Sequence, residues 1–265
     1  MAFPAGPWVL VVGMHRSGTS AITGALSQLQ VQLPDTADLM HGKRDNPAHY
    51  ESVALTEITN SMIKKLGRSW SSPPRLEGDW AARFSLDGFV ARAEAATWVA
   101  FPHRGPVLWK DPRLCLLLPF WRQVLPGPLN VLFIWRSPLA VARSLRHRNH
   151  FRLSKGLALW NRYNRDALRA LTGMSVLVLQ YEEAVADPHA VCAEAADWLD
   201  GRLGPTASPR RDGVLAAAAT VSPSLCHQRG TGQVSGYYSD LVDVLTRLRG
   251  THQRFEPPVL GPAWD

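Results

Sequence analysis

The chain has 265 residues, of which 46% are hydrophobic and 19% are charged. This length and composition are typical of a globular protein with a substantial core, and they exclude a disordered chain. The 29 basic residues outnumber the 22 acidic ones and give a net charge of +7. Most of the basic residues are arginines, which favour fixed, bidentate contacts with phosphate-like groups.

The cysteines and the apolar segments exclude several other classes of protein. Cys115, Cys192 and Cys226 are scattered and lack metal-ligand spacing, which argues against a disulfide scaffold and a zinc module. Residues 1–7 lack the basic and apolar regions of a signal peptide. The apolar run 114–121 is too short to cross a bilayer. We therefore expect a cytoplasmic protein with no membrane span and no metal.

Short apolar segments alternate with helical patterns along the chain. The predicted strands are 8–12, 106–109, 129–135 and 175–180. The predicted helices are 19–30, 47–66, 86–99, one that opens at Pro138, 157–171 and 188–199. Loops are predicted at 68–78, 204–213 and 226–236, and an irregular tail at 255–265. This alternation predicts an α/β fold, a single domain over 1–265 with a central parallel sheet and helices on both faces.

A glycine turn follows the first strand, in residues 13–20 (GMHRSGTS). A strand, a glycine turn and a helix N-terminus bring backbone N–H groups and the helix dipole to one place, which suits an anion. The spacing resembles the nucleotide-binding P-loop, but Thr19 stands where that loop has its lysine. The positive charge lies instead inside the loop, at Arg16. We therefore expect this loop to hold an anionic group without magnesium.

A second candidate anion site follows the strand 129–135. Arg136 comes directly after this strand, Pro138 opens the next helix, and Ser144 lies about two turns into it. Ligands of parallel sheets bind at the carboxyl ends of the strands. An arginine fork and a serine hydroxyl at this edge could together bind a phosphate.

In this order the two motifs resemble those of the sulfotransferases that use 3′-phosphoadenosine 5′-phosphosulfate (PAPS), in particular the bacterial type. Lys110-Asp111-Pro112 is similar to an element of the tyrosylprotein sulfotransferases, and residues 181–188 are similar to a late segment of the family. The resemblance covers about residues 8–200. It implies a P-loop-like sulfotransferase fold and transfer of a sulfuryl group from PAPS to a hydroxyl of a sugar, lipid or other small molecule.

The resemblance also implies which residues bind the donor. The loop would bind the 5′-phosphosulfate, Arg136 and Ser144 the 3′-phosphate, and a late glycine loop with Arg229 and Gly230 the adenine and the 3′-phosphate. The full set of expected donor-binding residues is His15, Arg16, Ser17, Gly18, Thr19, Ser20, Ala21, Arg136, Ser144, Arg229 and Gly230.

Three residues are expected to carry the chemistry. Arg16 and Lys110 would supply positive charge to the transferring group, while Asp111 would brace the nearby backbone. Glu51 follows an Asn-Pro pair similar to one in bacterial members of the family, and is the candidate base for the acceptor hydroxyl. A glutamate at this place also simply favours a helix dipole, so a structural role stays open. The alternative bases are His15, His49, Asp35 and Asp38.

Two other functions remain as alternatives. A P-loop kinase or NTPase of small molecules would share the glycine turn, although Thr19 in the lysine position argues against it. A nucleic-acid binder would explain the basic segment 143–148, but the sequence has no recognised nucleic-acid fold, and we expect no such partner. Trp70 and Trp80 would suit an apolar or sugar-stacking acceptor pocket. The sequence does not indicate the acceptor or the oligomeric state.

Overall fold

The computed structural model describes residues 6–43, 46–203, 211–221, 234 and 236–261. The strands are β1 Trp8–Val12, β2 Leu39–Lys43, β3 Asn46–Ser52, β4 Val107–Lys110, β5 Leu129–Trp135, β6 Ser175–Gln180 and β7 Gly250–His252. The helices are α1 Thr19–Leu26, α2 Val53–Lys65, α3 Trp80–Leu86, α4 Phe89–Ala100, α5 Leu114–Val124, α6 Pro138–Asn149, α7 Leu153–Ala170, α8 Tyr181–Ala186, α9 Pro188–Leu199, α10 Arg211–Thr220 and α11 Tyr237–Arg247.

Five strands form the central sheet in the order β4-β1-β5-β6-β7. The first four are parallel, and β7 pairs antiparallel with β6 at the edge. Every residue of β1, β4 and β5 is buried, as expected of strands covered on both faces. The predicted bounds of β1, β5 and β6 are confirmed, and β7 adds an antiparallel edge that the sequence did not indicate.

Alternate residues of β1 enter two different hydrophobic clusters. Trp8, Leu10 and Val12 pack with residues of α2, α3, α4, α5, α7 and α11, whereas Val9 and Val11 pack with residues of α1, α9 and α10. Successive side chains of a strand point to opposite faces, so the two clusters lie on opposite faces of the sheet. The predicted α/β class with helices on both faces is confirmed.

The predicted helix over 47–66 is wrong in its first turns. Residues Asn46–Ser52 form β3, which pairs antiparallel with β2, and α2 begins only at Val53. Ser52 caps this helix, because its Oγ accepts a hydrogen bond from Leu55 N at 3.0 Å. Asp38 supports the same turn by accepting hydrogen bonds from Ser52 Oγ and from Ala54 N. The pairing with β2 is a contact between segments, which helical periodicity does not show.

Smaller differences concern helix and loop boundaries. The predicted helix 86–99 is divided between α3 and α4 at Gly88, whose φ is 75°. The helix predicted at 157–171 begins earlier, at Leu153. Residues 211–213 of a predicted loop belong to α10, and 204–210 lie outside the described residues. Of the predicted loop 226–236 only 234 and 236 are described, in neither helix nor strand, and the tail 255–261 has no regular structure.

Candidate active site

The carboxyl ends of β1, β4 and β5 border a cleft of about 690 Å³, within the range of small-molecule sites. The phosphate loop and α1 form its floor, and β3, the turn after β4, and α6 form its walls. Its lining includes His15, Arg16, Gly18, Thr19, Ser20, Ala21, His49, Tyr50, Glu51, Trp70, Lys110, Arg113, Arg136, Leu145, Arg148, Asn149 and Tyr181.

The phosphate loop takes its shape from two residues with positive φ, Arg16 at 70° and Gly18 at 86°. A Cβ atom on Gly18 would lie 2.0 Å from Cδ2 of Tyr181, so only glycine fits against this ring. Thr19 then opens α1. The first turn of a helix has backbone N–H groups without intrahelical acceptors, and here that turn lines the cleft. The loop therefore has the geometry of an anion site.

The two predicted anion motifs meet in the structure. Arg16 Nε donates a hydrogen bond of 2.8 Å to Ser144 Oγ, and Arg136 Nη1 donates one of 3.2 Å to the carbonyl of Arg16. The Arg136 guanidinium lies 4.7 Å from the centre of the Tyr181 ring, and Trp160 Nε1 donates to the Arg136 carbonyl at 2.8 Å. Arg136 lines the cleft, whereas Ser144 is buried behind Arg16.

A buried cluster of charges lies at the end of β4. Lys110 Nζ donates hydrogen bonds of 2.7 Å to Glu51 Oε1 and to the carbonyl of His49. Arg113 Nη1 lies 3.5 Å from Glu51 Oε2 and 2.7 Å from Asp111 Oδ1. Burial alone would raise the pKa of Glu51, but Lys110 and Arg113 favour its charged form and lower the pKa to about 2. Glu51 is therefore ionised at neutral pH.

Asp111 braces the turn after β4, as expected from the sequence. Its Oδ1 accepts from Arg113 N at 2.8 Å and its Oδ2 accepts from Thr59 Oγ1 at 3.0 Å. These contacts fix the turn that carries Lys110 and Arg113, and they join it to α2. The carboxylate is fully buried and does not line the cleft.

The candidate bases separate into two groups. Glu51, His15 and His49 line the cleft, whereas Asp35 and Asp38 do not. Burial, followed by the charge of Arg113, lowers the pKa of His15 to about 3. The imidazole is therefore neutral at physiological pH and is a weak proton acceptor. Its Nε2 is buried and has no hydrogen-bond partner within the described part of the chain.

Comparison with known proteins assigns the family. The sequence profile of the sulfotransferase family matches residues 7–203. The chain belongs to the sulfotransferase family. The search of curated proteins gives no significant match.

The solved structures that match this chain include two sulfotransferase domains. The domain from the curacin biosynthetic pathway has a TM-score of 0.53 and 13% identity over 91% of this chain and 98% of its own. The domain from the olefin synthase of Synechococcus PCC 7002 has a TM-score of 0.49 and 16% identity over 93% of this chain and 95% of its own. At this identity the first similarity shows that the sulfotransferase fold is shared.

Several cleft residues of this sulfotransferase were not predicted as site residues, among them Arg113, Arg148 and Tyr50. Arg113 follows the Lys-Asp-Pro element directly, and Arg148 lies four residues, one helical turn, after Ser144. These two spacings were the available signals. Tyr50 has a φ of 55°, and its ring lies against Gly24. A Cβ atom added to Gly24 would be 2.9 Å from the hydroxyl oxygen of Tyr50. No signal in the sequence indicated this conformation.

Some predicted residues are placed differently from expectation or lie outside the described part. Ser17 is fully buried and does not line the cleft, and Ser144 does not line it either but accepts a hydrogen bond from Arg16, which does. Arg229 and Gly230 lie outside the described residues. Within the described ranges, no helix is long and apolar enough to cross a membrane, and no group of three or more His, Cys, Asp or Glu could hold a metal ion.

Proposed function

We propose that this sulfotransferase transfers a sulfuryl group from PAPS to a hydroxyl of a sugar, lipid or other small molecule and releases adenosine 3′,5′-bisphosphate. One observation supports this most strongly: Arg16 of the phosphate loop is hydrogen-bonded to Ser144 and, through its carbonyl, to Arg136. The two motifs thus lie against each other and present one surface for two anionic groups, with Arg16 and Arg136 lining the cleft and Ser144 buried behind Arg16. A donor with a 5′-phosphosulfate and a 3′-phosphate matches this surface.

The charges of the cleft fit this donor. Five cationic side chains line it in the described residues, against the one carboxylate of Glu51. They are Arg16, Lys110, Arg113, Arg136 and Arg148. The loop offers an arginine and helix N–H groups in place of the lysine that coordinates β- and γ-phosphates in nucleoside triphosphatases. The site therefore favours a phosphosulfate without magnesium over ATP with magnesium.

The proposed reaction exchanges one S–O bond for another. The acceptor oxygen bonds to sulfur, the bond from sulfur to the bridging oxygen of the donor breaks, and the hydroxyl proton passes to a base. Negative charge develops on the bridging oxygen, which leaves with the phosphate. Arg16, Lys110 and the N-terminus of α1 stabilise this charge because they are held in position before the reaction.

We assign the base role to Glu51. It is ionised, it lines the cleft, and it is bonded to Lys110, so that its carboxylate and the sulfonate-binding ammonium lie on one wall. A carboxylate with a low pKa is a weak base, but the acceptor hydroxyl becomes strongly acidic as its oxygen bonds to sulfur. The proton therefore moves late, when a weak base suffices.

Ligand binding tests the donor assignment and separates it from the kinase alternative. Calorimetric titration with adenosine 3′,5′-bisphosphate in EDTA should show binding, and Mg²⁺ should not strengthen it. ATP with Mg²⁺ should bind far more weakly. Sulfur-labelled PAPS and a panel of hydroxyl acceptors should then give labelled sulfate esters. Tight, magnesium-dependent binding of ATP without binding of the bisphosphate would contradict the proposal.

A further inference from the structure

The peptide group that joins Arg136 to Ser137 is held at both of its polar atoms. Its carbonyl accepts a hydrogen bond of 2.8 Å from Trp160 Nε1. Its N–H donates a hydrogen bond of 3.0 Å to Oε1 of Glu182, the second residue of α8. Directly after Arg136, the backbone is therefore fixed by a carboxylate that lies 45 residues further along the chain.

The bond from Glu182 replaces one that many helices make within their own first turn. In a capping box, a glutamate three residues after the N-cap accepts a hydrogen bond from the N-cap N–H. Ser137 is the N-cap of α6, but Ala140 stands at the glutamate position, and the first turn of α6 has no acidic residue. Glu182 supplies the acceptor from α8, and its negative charge is favourable at a helix N-terminus. The entry of the chain into α6 thus depends on Glu182.

Glu182 and Glu183 are neighbours in sequence, but they have different surroundings. Oε2 of Glu182 is buried and has no hydrogen-bond partner in the part of the chain that the structure describes. Glu183 has a side chain that is 43% exposed and forms a salt bridge with Arg249. Among the described residues that line the cleft, neither glutamate is present. Glu182 therefore acts on the site through Ser137 N–H rather than by contact with a ligand.

Tyr181 connects the same segment to the guanidinium of Arg136. The centre of its ring lies 4.7 Å from this guanidinium. The other neighbour of the ring is Gly18 of the phosphate loop, where an added Cβ atom would lie 2.0 Å from the Tyr181 ring. Two consecutive residues thus contact Arg136, with Tyr181 at its guanidinium and Glu182 at the peptide that follows it. A movement of the start of α6 would displace the guanidinium from this arrangement.

We infer that Glu182 is a positioning residue of the donor site, whose carboxylate fixes the peptide after Arg136 and so directs the Arg136 guanidinium towards the 3′-phosphate. The inference rests on the proposed function, since it concerns the donor of that same site. A side chain that is held in place before binding loses less conformational entropy when the ligand arrives, so Glu182 contributes to donor affinity. Lys110, which faces the transferring group in the proposed reaction, is held instead by Glu51.

Variants of the two neighbouring glutamates test this inference by calorimetric titration. Glu182→Ala removes the acceptor of Ser137 N–H, and the dissociation constant of adenosine 3′,5′-bisphosphate should rise about tenfold, within the value of one hydrogen bond to a charged group. Binding of adenosine 5′-phosphosulfate, which lacks the 3′-phosphate, should change little. Glu182→Gln keeps an oxygen for Ser137 N–H and should restore the affinity for the bisphosphate. Glu183→Ala is the matched control and should alter neither affinity.

Kinetics and a double-mutant cycle separate positioning from a general loss of structure. With labelled PAPS, Glu182→Ala should raise KM for PAPS and leave kcat unchanged, as expected when only binding common to the ground state and the transition state is lost. In the Arg136→Ala background, Glu182→Ala should cause no further loss of affinity for the bisphosphate, because it acts through Arg136. Glu182→Asp, whose carboxylate is one methylene shorter, should show the same selective loss and replaces Glu182→Ala if that variant does not fold.

The two ligands distinguish the possible failures. If the variants at Glu182 weaken binding of both ligands equally, or if their loss adds fully to that of Arg136→Ala, Glu182 supports the fold in general and the inference is overturned. Unchanged affinity of these variants for the bisphosphate overturns it as well. In these cases the proposed function stands, because the unchanged chain still binds the bisphosphate. If the unchanged chain does not bind the bisphosphate, the proposed function fails and the inference fails with it.

Discussion

Arg16 Nε donates a hydrogen bond of 2.8 Å to Ser144 Oγ, across 128 residues of sequence. Ser144 is 5% exposed, so its hydroxyl is a fixed acceptor at the back of the cleft. The bond holds the guanidinium of the phosphate loop against α6. The phosphate loop is thereby tied to the helix that follows Arg136.

Arg136→Ala should selectively weaken binding of ligands that carry a 3′-phosphate. Loss of one charged hydrogen-bonding partner costs about 2–3 kcal/mol, so the dissociation constant of adenosine 3′,5′-bisphosphate should rise about 30- to 150-fold. Binding of adenosine 5′-phosphosulfate, which lacks that phosphate, should change little. Calorimetric titration of both ligands measures the difference, with Arg146→Ala as the control. Equal losses for the two ligands would contradict the assignment of Arg136.

Lys110→Ala should reduce kcat far more than donor affinity, because its charge is needed mainly where the sulfonate moves in the transition state. Arg16→Ala should reduce both, since its loop also binds the donor in the ground state. Steady-state rates and titrations of the two variants give the comparison. Lys64→Ala, on the exposed side of α2, is the matched control. If Lys110→Ala has nearly unchanged turnover, Lys110 does not belong in the site.

Glu51→Gln should lower the transfer rate by about 100-fold or more, the usual contribution of a general base. Donor affinity should be retained, because the ion pairs of Glu51 are with Lys110 and Arg113 and not with Arg16 or Arg136, which are proposed to bind the donor's phosphates. The pKa of about 2 predicts that acid titration of Glu51 does not limit the rate between pH 5 and 8. Retained transfer in Glu51→Gln together with loss in His15→Gln would move the role to His15.

The ion pair of Glu51 should make stability depend on pH in acid. The folded state lowers the pKa of Glu51 from 4.5 to about 2, so the charged form stabilises the fold above pH 4.5. This contribution is lost as the pH falls from 4.5 towards 2, and it amounts to roughly 3 kcal/mol at most. Urea unfolding at pH 6 and at pH 3 should therefore show a larger loss of stability for the unchanged chain than for Glu51→Gln. Equal losses would show that the pair does not lower this pKa.

Gly18→Ala should disrupt the phosphate loop. The added Cβ would lie 2.0 Å from the Tyr181 ring at a φ of 86°, so the ring or the loop must move, and adenosine 3′,5′-bisphosphate should bind more than tenfold more weakly. Gly67→Ala is the matched control, because Gly67 has a φ of 67° and a Cβ added there would have no atom within 4 Å. It should cost about 1 kcal/mol of stability and leave binding unchanged. A similar loss of binding in both variants would contradict this role of the Tyr181 contact.

The sequence by itself determined the parallel core and its phosphate loop. The bounds of β5, β6 and α9 and the opening of α6 at Pro138 follow from local features, namely apolar runs of strand length, a proline at the first helical position and glycine turns. The family was indicated by Thr19 at the position of the P-loop lysine and by the order of the motifs along the chain. Such features act within a few residues of one another and can be read without a fold.

The tertiary structure alone decided where the charges meet. Residues 46–52 form a strand because β2 pairs with them, and this turns Glu51 and the His49 carbonyl towards Lys110. The low pKa of Glu51 then depends on Lys110 and Arg113, which are about 60 residues away in the chain. Arg148 and Trp70 likewise share one cleft only after folding. Coulomb interactions and burial depend on distance in space, and no local pattern in the sequence encodes that distance.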